Sequence, residues 1–195
     1  MCKEDPKATI RRLQEELEAA KKQIALLQEK SEKFERLSIT DGLTGLYNQR
    51  HFHDRLKQEV ARNRRQEHPL CLLFFDVDGL KTYNDTYGHS GGDEVLKTVA
   101  QSLSQSIRKE VDSGYRYGGD EFIAILPEVR ATQTVEIARR VISHLQGTDF
   151  HHVSLSFGVA ELGPAMDSET LFRHADEAMY MAKKSVEDKI RVHRE

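Results

Sequence analysis

Cysteine is almost missing from this chain: Cys2 stands close to the amino end, Cys71 lies inside an apolar run, and there are no others among 195 residues. So sparse a supply excludes a disulfide framework and fits a reducing compartment, expected here to be the cytoplasm. Long hydrophobic runs are missing too. Nothing approaches the roughly 18 consecutive apolar residues of a membrane span, and the amino end is charged, without the apolar stretch of a secretion signal. No membrane segment is therefore expected. Charge of one sign is also in short supply: 29 Lys and Arg against 32 Asp and Glu leave a net charge of -3. That balance argues against nucleic acid as a partner and requires any anionic ligand to be met locally. No GxxxxGK[ST] occurs, which excludes a Walker-type phosphate loop. His51 and His53 point to different helix faces, and His151 and His152 are adjacent, so neither pair has zinc-ligand spacing. Internal repeats and low-complexity segments are absent as well.

What is present falls into three parts. Residues 1–8 are expected to be a disordered end. Residues 9–38 contain neither Gly nor Pro, and Ile10, Leu13, Leu17, Ala20, Ile24, Leu27, Ser31 and Phe34 follow one another at spacings of 3 and 4. With Ile10, Leu17 and Ile24 at position a and Leu13, Ala20 and Leu27 at d, this is the pattern of a parallel dimeric coiled coil. In that register Glu16 faces Lys21 of a partner and Lys30 faces Glu35, so a homodimer is expected. The competing reading is a single amphipathic helix lying on its own domain, whose apolar face is usually broader.

Residues 39–195 read as one catalytic-sized domain. A polar amphipathic helix is predicted over 48–66, ending before Pro69. Leu70 to Phe75 is a continuous apolar run stopped by Asp76, the pattern of a strand covered on both faces. Helices are predicted over 92–109, 131–146 and 168–185. Gly114 to Tyr117 and Glu121 to Leu126 flank Gly118-Gly119-Asp120 as a hairpin. Val153 to Ala160 reads as a strand, with a short edge strand over Lys189 to His193. This order predicts an α/β (α+β) sandwich, a mixed sheet with helices packed on it.

Two carboxylate clusters fall at strand ends: Asp76 with Asp78, and Asp120 with Glu121. Crowded carboxylates repel one another unless a divalent cation sits between them. Mg²⁺ characteristically takes one or two carboxylates while keeping waters and substrate phosphates. Such a cluster implies phosphoryl transfer, although acidic residues in turns also serve as solvated caps, and Asp78 beside Gly79 fits either role. Gly88-His89-Ser90-Gly91-Gly92-Asp93 precedes a predicted helix, with Asn84-Asp85 upstream. A Gly-rich entry lets backbone N–H groups approach a ligand, and Asn with Asp supplies donors and acceptors suited to a guanine edge; Asp93 could equally cap the helix.

Arg116-Tyr117-Gly118-Gly119-Asp120-Glu121-Phe122 resembles the motif after which the GGDEF family of diguanylate cyclases is named. Five further segments resemble that family in order. Asp41 to Asn48 is similar to DxLTGLxN, Asp76 to Asp85 to DxDxFKxxND, and Gly88 to Leu96 to GHxxGDxxL. Ser156 to Ala160 is similar to SxGxA, and Ala175 to Lys183 to ADxAxYxAK. The resemblance covers residues 41–184. It implies a fold like the nucleotidyl cyclase and polymerase palm, and condensation of two GTP into cyclic di-GMP between two protomers. It further implies that Asp76, the carbonyl of Val77, Asp120 and Glu121 hold Mg²⁺ (or Mn²⁺), with Asp120 doubling as base. Asn84 and Asp93 would read guanine, His89 and Gly119 would line the substrate pocket, and Lys81 and Lys183 would meet phosphate.

The chain departs from the family pattern in places. The product-inhibition motif RxxD has Lys109 where its Arg belongs, with Asp112 retained and Arg108 one residue out of register. Lysine lacks the planar fork of arginine, so weak or absent product inhibition is expected. Val186-Glu187-Asp188 replaces a Gly-Arg-Asn, so a phosphate-binding arginine is missing and Lys184 or Lys189 must substitute, or triphosphate affinity falls. Gly79-Leu80 replaces the usual aromatic, and Gln49 stands where arginine is common. Two alternatives follow: a catalytically weak GTP-binding regulatory or dimerisation module, or a cyclase that makes a mixed dinucleotide.

Overall fold

A computed structural model describes residues 13–18, 20–24, 26–28 and 39–193. The chain divides into two units, Met1–Ile39 and Thr40–Glu195. In the first, the described residues are helical, and Leu13, Leu17, Ile24 and Leu27 are all exposed. Lys21 bonds Glu18 of its own helix at 2.9 Å. Ile10, Ser31, Phe34, the Lys30 and Glu35 pair and residues 1–8 lie outside the described residues.

The second unit runs β1 (Tyr47–Asn48), α1 (Gln49–Gln66), β2 (Leu70–Asp78), α2 (Leu80–Ser106), β3 (Ser113–Gly118), β4 (Glu121–Pro127), α3 (Ala131–Gln146), β5 (Ser154–Glu161), α4 (Ser168–Lys184) and β6 (Ile190–Val192). The six strands form one mixed sheet in the order β1-β3-β4-β2-β5-β6. β2 lies between β4 and β5 and is antiparallel to both, while β1 on β3 and β6 on β5 are parallel edge pairs.

Alternation along β2 builds two cores. Cys71, Leu73, Phe75 and Val77 face one side, packed with Val95, Val99 and Leu103 of α2 and Ile137 and Val141 of α3. Leu70, Leu72 and Phe74 face the other, packed with Phe52, Leu56 and Val60 of α1 and Leu171, Ala175 and Met179 of α4. By the same period of two, Asp76 and Asp78 continue the second face. Phe74, Phe75, Phe122 and Phe157 are buried, as their sequence setting implies.

α1 begins where Asn48 accepts a hydrogen bond from the His51 amide at 3.1 Å and ends at Glu67 in the left-handed region, just before Pro69. Two elements differ from the sequence expectation. The helix expected over 92–109 begins just after Gly88 and stops at Ser106, and a further helical segment from Leu80 leads into it across the bend at Gly88 (φ 79, ψ 166). The Gly-rich segment reads as a loop, yet one glycine with positive φ takes the whole change of direction and leaves helix on either side. β2 also continues through Asp76 to Asp78: β4 pairs with it as far as Asp76, and β5 as far as Asp78. The two-residue β1 has no counterpart in the sequence reading.

Candidate active site

The register of β2 against β4 sets Asp76 directly opposite Glu121, and the Val77 amide donates to the Asp120 carbonyl at 3.0 Å. The two carboxylate clusters are therefore neighbours, as their strand-end positions imply. Asp76 is 4% exposed. Burial pushes its carboxyl above the usual range; a hydrogen bond from Lys183 works against that shift, and the charges of Asp120 and Asp78 add to it. Glu121 is raised in the same direction by burial, then by Asp76, Asp120 and Asp176. Asp176, on α4, is in sequence only a motif residue, and the fold brings its charge to bear on Glu121.

Two lysines answer the two aspartates of β2. Lys183 Nζ donates to Asp76 Oδ1 at 2.7 Å, and Lys189 Nζ donates to Asp78 Oδ2 at 3.2 Å. Lys183 reaches that position because α4 lies tight on β5. A Cβ on Gly158 would come within 2.1 Å of the Ala175 carbonyl and 2.3 Å of the Met179 amide. Asp78 also accepts from Ser154 Oγ (3.1 Å) and Ser156 Oγ (2.6 Å). Of the two lysines considered as replacements for the missing arginine, Lys189 is thus occupied by Asp78, and Lys184 lies over the Tyr180 ring at 4.0 Å.

The donor set of Asp76, the Val77 carbonyl, Asp120 and Glu121 fits a hard divalent cation: it supplies oxygens only, and its carboxylates repel one another inside a partly buried site. Among the described residues, no three His, Cys, Asp or Glu side chains are already gathered as a metal cage.

At the α2 bend, Asn84 packs against Gly92 so closely that a Cβ there would fall 1.9 Å from Asn84 Oδ1. That oxygen is buried and has no hydrogen-bond partner among the described residues, an orphaned acceptor suited to a ligand donor. Asp93 is exposed and lies five residues past the Gly88 bend, near the start of the second helical segment of α2. Lys81 and His89 are exposed on opposite sides of the Gly88 bend.

The hairpin turn is braced from two sides. Arg116 donates from Nε and Nη2 to the Gly119 carbonyl at 3.0 and 2.7 Å, and from Nη1 to Asp41 Oδ1 at 3.2 Å. Asp41 itself accepts from the Thr44 amide (2.9 Å) and hydroxyl (2.6 Å). Burial opposes its charge, but these bonds and Arg116 outweigh it and hold the carboxyl below its usual range. On the other side, Tyr117 packs edge-on against Phe52 and Phe74 and tilted against Phe172. In sequence, Arg116 and Tyr117 are motif residues with no evident role. Their partners lie 75 and more than 40 residues away, so only the fold exposes the brace.

Lys109 and Asp112 line a separate cleft of about 700 Å³ together with Tyr47, His51, Arg55 and Tyr115. Arg108, one residue out of register, turns to acceptors elsewhere in the domain. Its Nη2 bonds Asp112 Oδ1 at 2.7 Å and the Pro127 carbonyl at 2.5 Å, so it is tied to the domain's own acceptors.

Residues 38–189 match the family model described as diguanylate cyclase, GGDEF domain. Diguanylate cyclase DosC of Escherichia coli K12 is 39% identical over 169 residues, which cover 83% of this chain and 36% of that protein. Response regulator PleD of Caulobacter vibrioides is 38% identical over 158 residues, 76% of this chain and 35% of that one. The chain therefore spans about a third of these relatives' length. Among solved structures, the coiled coil and GGDEF domain of DgcB from Caulobacter crescentus in complex with c-di-GMP superposes with a TM-score of 0.84. It is 26% identical, with 92% of this chain and 98% of that one covered.

Proposed function

Because the chain belongs to the GGDEF family of diguanylate cyclase domains, we propose that it joins two GTP molecules into cyclic di-GMP with release of two pyrophosphates. The observation that carries this reading is the pairing of Asp76 with Glu121 across β2 and β4, beside Asp120 and within reach of Lys183. Asn84 and Asp93 hold the guanine of each GTP, with His89 and Gly119 lining the pocket, and Lys81 and Lys183 meet its phosphates. Asp120 takes the proton of the ribose 3′-hydroxyl as that oxygen bonds the α-phosphorus of the facing nucleotide and the bond to the β-phosphate oxygen breaks. The same exchange in the opposite sense closes the ring. Mg²⁺ or Mn²⁺, when held by Asp76, the Val77 carbonyl, Asp120 and Glu121, supplies charge neutralisation to the triphosphate. The rest of the catalysis is positioning. One protomer presents one GTP, so two domains must face each other, and a parallel coiled coil over 9–38 raises their effective concentration. With Arg108 tied to Asp112, product inhibition is weak, and cyclic di-GMP at low micromolar concentration leaves turnover intact.

A second reading draws on the altered Val186-Glu187-Asp188 loop, beside which Lys189 is committed to Asp78 at 3.2 Å and Arg191 to Asp188 at 3.4 Å. On that reading the domain binds GTP as a regulatory module. Incubation with GTP, ATP or both in Mg²⁺, with products resolved by mass and Asp120→Ala alongside, separates the cases. Cyclic di-GMP from wild type alone supports the cyclase. GTP binding without product supports the module, and a mixed dinucleotide redirects base selectivity.

A further inference from the structure

The two lysines that meet the β2 aspartates are held differently. Lys189 is fixed at both ends: its carbonyl accepts from the Phe157 amide at 2.7 Å, and its ammonium touches both Asp78 and Ser156. Lys183 is the last residue but one of α4, its side chain is 45% exposed, and its ammonium has Asp76 Oδ1 as its hydrogen-bond partner. Asp76 is the buried carboxylate at the centre of the oxygen cluster assigned above to the cation. An ammonium 2.7 Å from that oxygen and a divalent cation on the same carboxylate would be like charges a few ångströms apart, which is strongly unfavourable in a partly buried site. One must leave, and the exposed lysine on a flexible four-carbon stem is the group able to move.

We propose that Lys183 is a built-in competitor for the cation site: its ammonium occupies Asp76 while the site is empty and gives up that carboxylate only when triphosphate oxygens offer it another anion. This rests on the reading of Asp76 and its neighbours as the cation-binding group. The consequence is order. Metal alone binds poorly, nucleotide draws Lys183 away, and the same side chain that suppresses metal binding then serves the phosphate. A lysine whose only part is to bind phosphate would leave metal affinity in the absence of nucleotide unchanged.

The test is Mn²⁺ binding to the nucleotide-free protein, followed by electron paramagnetic resonance, with thermal melts confirming that each variant is folded. Lys183→Met should bind Mn²⁺ on the order of tenfold more tightly than wild type, the scale of one charge-assisted hydrogen bond removed from the ligand oxygen. Lys183→Arg, which keeps the charge, should stay close to wild type. Lys184→Met removes a neighbouring charge that lies over Tyr180 instead, and should change affinity less than about twofold if the effect is local. Unchanged or weaker Mn²⁺ binding by Lys183→Met overturns the proposal, as does equal tightening by Lys184→Met. If the folded wild type takes up no Mn²⁺ with or without 3′-deoxy-GTP, which lacks the attacking hydroxyl, and Lys183→Met takes up none either, the assignment of the cation site itself is wrong.

Discussion

Asp76 and Glu121 carry opposing demands, since the crowding that suits them to a cation also destabilises the metal-free fold. Their carboxyls titrate higher in the folded protein than in the unfolded chain. A raised folded value means that their contribution is fully present below the unfolded value and is lost as pH rises through the folded one. In chelator, thermal stability should therefore increase as pH falls toward the ordinary carboxylate range, and Glu121→Gln should melt a few degrees higher than wild type at pH 7 while losing cyclase activity. Scanning fluorimetry with EDTA checks both; a lower melting temperature for Glu121→Gln would refute the account. The lowered carboxyls, Asp41 and Asp167, act oppositely, but they lose their contribution only below the ordinary carboxylate range. Arg116 works by geometry rather than charge, because three of its nitrogens span the Gly119 carbonyl and Asp41. Arg116→Lys keeps the charge and loses the fork, so kcat should fall roughly ten- to hundredfold with a smaller change in KM for GTP. Steady-state kinetics of the two proteins would show a KM effect instead if Arg116 merely bound substrate.

At the scale of elements, what was legible had a local pattern. The fully apolar β2, the 3.6-residue periodicity of α1, α3 and α4, and the Gly-Gly hairpin each announce themselves within a dozen residues. The two-residue β1 carries no periodicity at all, and the first turns of α2 hide behind glycines that look like loop. The acidic residues were legible by position, because Asp76 stops the apolar run and Asp120 with Glu121 stands in the hairpin, and the pairing of β2 with β4 makes them neighbours. Lys183 on Asp76, 107 residues apart, and the three-donor clamp on Asp78 depend on which strands pair, which local pattern does not encode. α4 illustrates the same limit, since Gly158 looks ordinary in sequence yet sets the distance between helix and sheet. Gly158→Ala should cost about 3 kcal/mol, an overpacking penalty against rigid backbone. Gly42→Ala, with nothing within 4 Å of the added carbon, should stay within about 0.5 kcal/mol. Urea unfolding of the two variants makes the comparison, and equal costs would mean that α4 can slide off β5.

For the molecule as a whole, the proposed chemistry needs two copies, and Leu13, Leu17, Ile24 and Leu27, spaced at 3 and 4, are among the exposed apolar groups that could bring them together. Changing Leu17 and Ile24 together to Lys should lower specific activity at nanomolar enzyme and leave GTP binding intact. A dilution series compared with wild type tests this, and identical curves would remove the coiled coil from the mechanism. The interior offers a separate vantage point. Cys71 sits on the central strand with no exposed surface, and burial pushes its thiol up to about 12, so in the native state it is neither accessible nor a thiolate. With Cys2 changed to Ser, this becomes the chain's sole sulfhydryl, and its capture by a thiol reagent counts openings of the whole sheet. The lifetime of the native state would thereby be readable from an absorbance trace, without denaturant.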